Sequence, residues 1–370
     1  MQQIDHPLPW NSPGVERRLT VLRFGNGPRK AYIQSALHAD ELPGMRVAVE
    51  LRRRLLELEA SGRLLGVVEL VPVANPIGLA QVFQATHQGR FDFASGQNFN
   101  RDFPDLAEAV RSRLDGVLSS DATGNVATIR AHMLEALAQL PAPRTALEGL
   151  HRLLLGHACD ADVVLDLHCD FESVTLLYAL PQSWERLSSL AARLHARAAL
   201  LAEDSGGQSF DESCASPWLK LARAFPDTPI PAACLATTLE LGGMADTEAE
   251  QARRHADAIL GFLFDQGFID GEWPTAPDQH CTATPFAGAQ YAYAPHPGVV
   301  SYLQPLGARV SIGDPLFEVI DPITDQCSVV HATTDGLLYA RERIRFAQPG
   351  LWLAKVAGSV PLREGRLLSD

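Results

Sequence analysis

The sequence predicts an α/β fold, a mixed sheet flanked by helices, followed by a smaller all-β module. Three observations predict it. "KAYIQSAL", "GMRVAVELRRRLLELEASG" and "GVVELVPVANPIG" read as strand, helix and strand in succession, an α/β unit whose helices pack on sheet faces. Two further apolar runs, "ADVVLDLHCD" and "AACLATTLELGG", have the composition of buried strands and are separated by helical patterns. The C-terminal stretch then repeats itself weakly: "HPGVVSYLQPLGARVSIGDPLFEVI" is echoed by "TDGLLYARERIRFAQPGLWLAKVA". Each half has a Gly, an apolar pair, a turn and a second strand, the pattern of a pseudo-symmetric β module.

Taken in order, "RRLTVLRFG" and "KAYIQSAL" flank "NGPR", whose Asn26-Gly27 is a hairpin signal, so the sheet is expected to open with antiparallel strands. Pro43 stands at a first helical turn, and the helix after it ends near Gly62. The next strand breaks at Asn75-Pro76. An Ala/Leu-rich helical insertion is expected over about 105–157, covering the sheet. "SWERLSSLAARLHARAALL" reads as helix, "SGGQSFDES" as a loop, and "TEAEQARRHADAILGFLFDQG" as the helix that closes the main domain. The boundaries are 1–270 for that domain, 271–284 for a Pro/Gly-rich linker, and 285–370 for the β module.

A chain of 370 residues with 46% hydrophobic and 20% charged content can bury a large core. A formal net charge of −13 disfavours nucleic acid and anionic membrane as partners. No run has the length of an apolar membrane span, and the opening "MQQIDHPLPWNSPGVERR" lacks a signal-peptide pattern, so a cytoplasmic location is expected. The six cysteines are scattered without a C-x-x-C, which reads as reduced thiols, neither a disulfide framework nor a thiolate zinc site.

Three strands end in polar residues: His38 with Glu41, His168, and Glu240. Ligands gather beyond the carboxyl ends of strands in open α/β sheets, so residues far apart in sequence meet there. His38, Glu41 and His168 supply a His₂Glu set of the kind that holds a catalytic zinc, and Glu240 is the candidate for moving protons. Each has a plainer alternative. A lone H-x-x-E arises by chance, His168 fits a satisfied core histidine, and Glu240 fits a helix-cap neighbour or a salt-bridge partner. In "GRFDFASGQNFNRDFPD", Asn100-Arg101 and the earlier Arg90 occupy a polar loop. Arginine's planar fork pairs bidentately with carboxylates, so Arg101 reads as a substrate clamp or as a brace for its own loop, and Arg90 equally as either.

These motifs, in order, resemble the succinylglutamate desuccinylase/aspartoacylase family, relatives of the zinc carboxypeptidases. "HADELPG" is similar to its H-[GA]-[ND]-E-x-x-G motif, and Asn75-Pro76 with Gly78 to its Asn-Pro turn. "NFNRDFP" resembles its Asn-Arg-x-Phe segment, "LDLHCD" its third-ligand strand and "TLELGG" its catalytic-glutamate strand, the likeness covering roughly Arg17 to Gly267. The resemblance implies a zinc carboxypeptidase-like domain with one Zn²⁺ per chain on His38, Glu41 and His168. It implies Glu240 as general base and acid, and Asn100 and Arg101 as carboxylate binders. Arg90 matches at a longer spacing than the family's arginine, and the helical insertion is a departure. The C-terminal part is similar to the barrel-sandwich of biotinyl and lipoyl carriers, but "VIDPITDQCS" has no lysine to modify, which argues against a carrier role.

The function expected is therefore zinc-dependent hydrolysis of a linear amide in a small N-acyl amino acid or related carboxylate-bearing substrate. The alternatives are a carboxypeptidase acting on short peptides and a metal-free binding protein on the same scaffold.

Overall fold

Central strands of this chain are apolar on both faces, and the architecture follows from having to cover both. The computed structural model describes residues 1–279 and 281–368. Nine strands form one mixed sheet: β1 (Gln2–Pro7), β2 (Arg18–Phe24), β3 (Lys30–Ser35), β4 (Val67–Val71), β5 (Val163–Asp170), β6 (Thr175–Ala179), β7 (Ala198–Leu201), β8 (Leu235–Gly243) and β9 (Ala283–Pro285). Their order is β1-β2-β4-β3-β5-β8-β6-β7-β9. The run β4-β3-β5-β8 is parallel, with β2 antiparallel to β4 and β6 antiparallel to β8.

Alternation along the strands divides the core in two. Ile33, Leu165 and Leu239 face one layer, with α1 (Leu42–Ala60), α5 (Trp184–Arg193) and α7 (Ala249–Asp265). Tyr32, Val164 and Ala236 face the other, with α2 (Leu106–Arg111), α3 (Ala122–Gln139), α4 (Ala146–Ala158) and α6 (Phe210–Ala224). The side chains of Asp105, Asp121 and Thr145 accept backbone N–H groups at the starts of α2, α3 and α4, so each helix of this Ala/Leu-rich segment begins at a capped end.

The opening of the sheet corrects one expectation. β2 and β3 do not form a hairpin across Asn26-Gly27; β4 lies between them, antiparallel to β2 and parallel to β3. The antiparallel opening exists, but it is made by β1, β2 and β4. Gly27, at φ +148°, lets the connection pass against the start of β4, where a Cβ would stand 2.3 Å from the Leu65 carbonyl oxygen.

After α7 a Pro-rich stretch without regular structure covers 272–279, and Ala283–Pro285 extends the large sheet as β9, parallel to β7. Two antiparallel sheets follow, built from β10 (Ala289–Tyr293), β11 (Gly298–Tyr302), β12 (Arg309–Val310), β13 (Pro315–Ile320), β14 (Cys327–His331), β15 (Gly336–Arg341), β16 (Phe346–Ala347) and β17 (Trp352–Gly358). One runs β10-β17-β15-β12 and the other β14-β13-β11-β16. The sequence echo is visible as an exchange: the short middle strand of each half pairs with the first strand of the other, β12 with β15 and β16 with β11. Glu172–Ser173, just past β5, adds to the edge of β15 and ties this module to the end of the large sheet.

Candidate metal centre

The site is assembled where parallel strands end. β3 stops at Ser35, and the chain turns through Ala36 at φ +60° to reach the buried His38. Glu41 follows at the N-cap position of α1, with proline in the first turn, so the start of the helix fixes its backbone. The loop is held from outside: the Gly89 carbonyl accepts the Ala39 N–H at 3.1 Å, and a Cβ on Gly89 would lie 2.2 Å from the Asp40 nitrogen. His168 lies within β5 and Glu240 within β8, directly paired in parallel register, and the pairing becomes irregular after Glu240. Both strands thus run two or three residues past the polar residue at which the sequence reading ended them.

Glu41 is the meeting point. Its Oε1 lies 2.9 Å from His38 Nδ1 and its Oε2 lies 2.7 Å from His168 Nδ1. Arg90 Nη2 donates to Oε1 at 3.0 Å, and the Cys169 N–H donates to Oε2 at 3.1 Å. Cys169 thus contributes its backbone while its buried thiol stays out of the cluster. One ligand atom from each of His38, Glu41 and His168 lies within 4.8 Å of the others, the group of three among the described residues able to hold a metal ion.

The far nitrogens of both imidazoles are also engaged. Asn98 Oδ1 accepts the Asn100 N–H at 2.9 Å, which orients its amide, and the same oxygen takes His38 Nε2 at 2.8 Å. His38 therefore carries its proton on Nε2, and burial, with Arg90 nearby, pushes its pKa down to about 4. A neutral ring so held aims the Nδ1 lone pair at a carboxylate, an unfavourable pairing unless a cation stands between them. His168 has Asp166 Oδ2 at 3.0 Å from Nε2 and Glu41 at Nδ1, so carboxylates flank both of its nitrogens. Such an imidazole either keeps two protons or gives one nitrogen to a cation. Two nitrogens and a carboxylate, oriented from behind, fit a divalent zinc-type ion.

Glu240 lines the same cavity of about 720 Å³. Burial, with the charges of Glu41 and Asp170, pushes its carboxyl up to about 8, and its Oε2 has no hydrogen-bond partner among the described residues. Arg90, Asn100 and Arg101 also line the cavity, and each has a partner within the protein. Arg90 reaches Glu41. Asn100 Oδ1 accepts the Phe210 N–H at the start of α6 at 2.8 Å. Arg101 donates to the Asn100 carbonyl at 2.7 Å, and burial, with Arg90, lowers its pKa to about 10, leaving it cationic at neutral pH.

Sequence reading missed Asn98, Asp166, Asp170 and Lys355. Asp166 was within reach, since two residues before His168 on a strand is the same face. Asn98 and Asn100 show the same spacing in a loop, where no period applies. Lys355 on β17 donates to Asp170 Oδ2 at 2.6 Å and lies 3.9 Å from the Trp352 ring, a contact between distant segments that no local pattern announces.

Fold and donor set together define an α/β protein with a cluster able to hold a metal ion in a partly open cavity at the carboxyl ends of its strands. Residues 28–128 match the family model described as the succinylglutamate desuccinylase/aspartoacylase catalytic domain. A succinylglutamate desuccinylase/aspartoacylase family protein from Shewanella amazonensis is similar in structure, with a TM-score of 0.84 at 28% identity over 96% of this chain and 98% of that one. One from Shewanella frigidimarina shares the fold with a TM-score of 0.83 at 22% identity, over 96% and 97% of the two chains. The ectoine utilization protein EutE (DoeB) from Ruegeria pomeroyi shares it with a TM-score of 0.68 at 16% identity, over 96% and 95%. A search of curated proteins gives no significant match. The model match and the Shewanella amazonensis structure support the family that the motifs resemble, that of the succinylglutamate desuccinylases and aspartoacylases. No helix among the described residues is long and apolar enough to cross a membrane.

Proposed function

We propose that the chain is a zinc-dependent amidohydrolase that cleaves the amide of a small N-acyl amino acid or a related carboxylate-bearing substrate. The observation that carries this reading is the placement of the His38, Glu41 and His168 cluster and the unpartnered Glu240 carboxylate on the wall of one cavity. His38, Glu41 and His168 would hold zinc, which would supply Lewis acidity and make water easier to deprotonate. Glu240 accepts a proton from the water whose oxygen bonds to the acyl carbon, and returns it to the amine as the C–N bond breaks. The products are a carboxylate and a free amine. Burial raises the pKa of the Glu240 carboxyl and a dication on the neighbouring cluster would lower it, opposing influences that suit a group which must both take and give a proton. To Arg90, which donates to Glu41 and lines the same cavity, we assign the stabilisation of the charge that develops on the acyl oxygen. Asn100 and Arg101 hold a carboxylate of the substrate and fix the scissile bond over the ligand cluster.

The test is a panel of N-acyl amino acids and dipeptides with free C-termini, assayed before chelation, after it and after zinc is returned. Hydrolysis of the N-acyl amino acids that chelation removes and zinc restores is expected. Preference for dipeptides would make the protein a carboxypeptidase, and turnover that survives chelation would remove the metal from the reaction.

A further inference from the structure

The cavity is larger than the ligand cluster requires, and its extension has a definite composition. On β8, residues two apart share a face, so Glu240, Thr238 and Ala236 line the cavity in a row. At about 3.3 Å per residue, that row leads roughly 13 Å inward from the proposed proton carrier. Its floor is made of small side chains, Thr238 and Ala236 on the sheet and Ala215 on α6. Its walls are Leu180, Leu200 and Phe286, each 5% exposed or less. Small residues facing one another across a channel of larger apolar ones leave room for a side chain that the protein does not itself supply.

Two carboxyl groups stand in this lobe, and both are satisfied locally. Asp211 accepts the Ser209 hydroxyl at 2.6 Å and a bond from Thr238. Glu212 accepts the Ser205 N–H at 2.8 Å. Hydroxyl and amide donors from the protein's own loop thus occupy these two carboxyl groups; Tyr178 and Arg366 also line the cavity, and Leu180, Leu200, Phe286, Ala215 and Ala236 supply its apolar surface. Asn100 and Arg101 adjoin the lobe: Asn100 is bonded to the first residue of α6, and Arg101 packs against Gly207 in the loop before it. With the carboxylate held there and the amide at Glu240, the group directed into the lobe is the side chain of the amino acid that is released.

We infer that this lobe is a specificity pocket for a large apolar side chain, so that the substrates are N-acyl derivatives of amino acids of the leucine, methionine or phenylalanine kind. The inference rests on the amidohydrolase reading above. It is tested by kcat/KM for one acyl group on glycine, alanine, leucine, phenylalanine, aspartate, glutamate and lysine, with acetyl and succinyl series run in parallel. Burial of such a side chain is expected to raise kcat/KM roughly 10- to 100-fold over the glycine derivative. Ala215→Leu should fill the lobe and reduce the ratio of phenylalanine to glycine derivatives to near unity.

Calorimetric binding of the same compounds to zinc-loaded Glu240→Gln provides a second readout that needs no turnover and does not depend on the Ala215 variant folding. Tighter binding of the leucine and phenylalanine compounds supports the inference even if no hydrolysis is found, in which case only the amidohydrolase reading falls. Hydrolysis with a preference for aspartate, glutamate, lysine or glycine overturns the inference and leaves that reading standing. No binding of any apolar member overturns the inference as well.

Discussion

Glu41 meets His38, His168, Arg90 and the backbone of Cys169 at once, so the chemistry of single residues decides whether the site holds a metal. Asn98 is the sharpest test at this scale. Its carbonyl oxygen holds the Nε2 proton of His38 and thereby presents Nδ1 to the cluster. Asn98→Ala is expected to weaken zinc affinity roughly 10- to 100-fold, measured by competition with a chelating indicator. Unchanged affinity would mean that His38 does not need that bond. Glu240→Gln is expected to retain the metal and lose about 10²- to 10⁴-fold in kcat, the loss associated with general acid–base help. Near-normal turnover would take Glu240 out of the reaction. The three cluster residues were legible in the sequence because each sits near the carboxyl end of an apolar strand or in the turn that follows one. Asn98 was not, since nothing in "GQNFNRD" separates a residue that orients a ligand from one that closes a turn.

At the scale of elements, three strands and one loop set the geometry. The parallel pairs β3-β5 and β5-β8 bring residues over two hundred positions apart onto one edge, and α1 anchors the fourth side chain. The loop "HADE" is pinned by Gly89, whose backbone comes so close that a methyl group cannot be accommodated without displacing Ala39 and Asp40. Gly89→Ala is therefore expected to lower metal content more than it lowers secondary structure, read by elemental analysis and circular dichroism on one sample. Full metal content in that variant would show that the loop tolerates the shift.

This scale also shows where sequence reading stops. Many strand and helix positions followed from periodicity, and the two-half pattern of the C-terminal module followed from its echo. Phe210–Ala224, however, begins inside a segment read as loop and is α6, and Ala198–Leu201, read as the end of a helix, is β7. Strand order did not follow from either signal. Asn26-Gly27 has the composition of a hairpin turn, yet β4 enters between β2 and β3, because pairing is settled by a strand some forty residues away.

Across the whole molecule, two features carry consequences beyond the site. The C-terminal module is joined to the large sheet by the buried pair of Lys355 and Asp170, with Arg341 donating to Glu172 at 2.9 Å nearby. Burial opposes a charged lysine, but Asp170 raises its pKa above the ordinary value, so the lysine stays charged. Lys355→Met would leave Asp170 buried without its partner and is expected to cost about 3–5 kcal/mol in urea unfolding. A loss below 1 kcal/mol would show that water reaches Asp170.

The second feature is acid sensitivity. Burial pushes His151 and His255 down to about 4, well under the ordinary value near 6.5. The unfolded chain then takes up protons that the folded chain refuses, so stability is fully present above about pH 6.5 and is lost as the pH falls toward 4. Each histidine contributes on the order of 3 kcal/mol to that loss. Unfolding free energies that stay flat from pH 7 to pH 4.5 would contradict it.

The most direct measurement is metal content per chain by elemental analysis, on protein prepared without chelator or a histidine tag, beside the His168→Ala variant. About one zinc per chain in the natural protein and little in the variant is the expected result. Protein that takes up no metal when zinc is offered at neutral pH, or a variant that keeps it, would contradict the assignment of His38, Glu41 and His168 as its ligands.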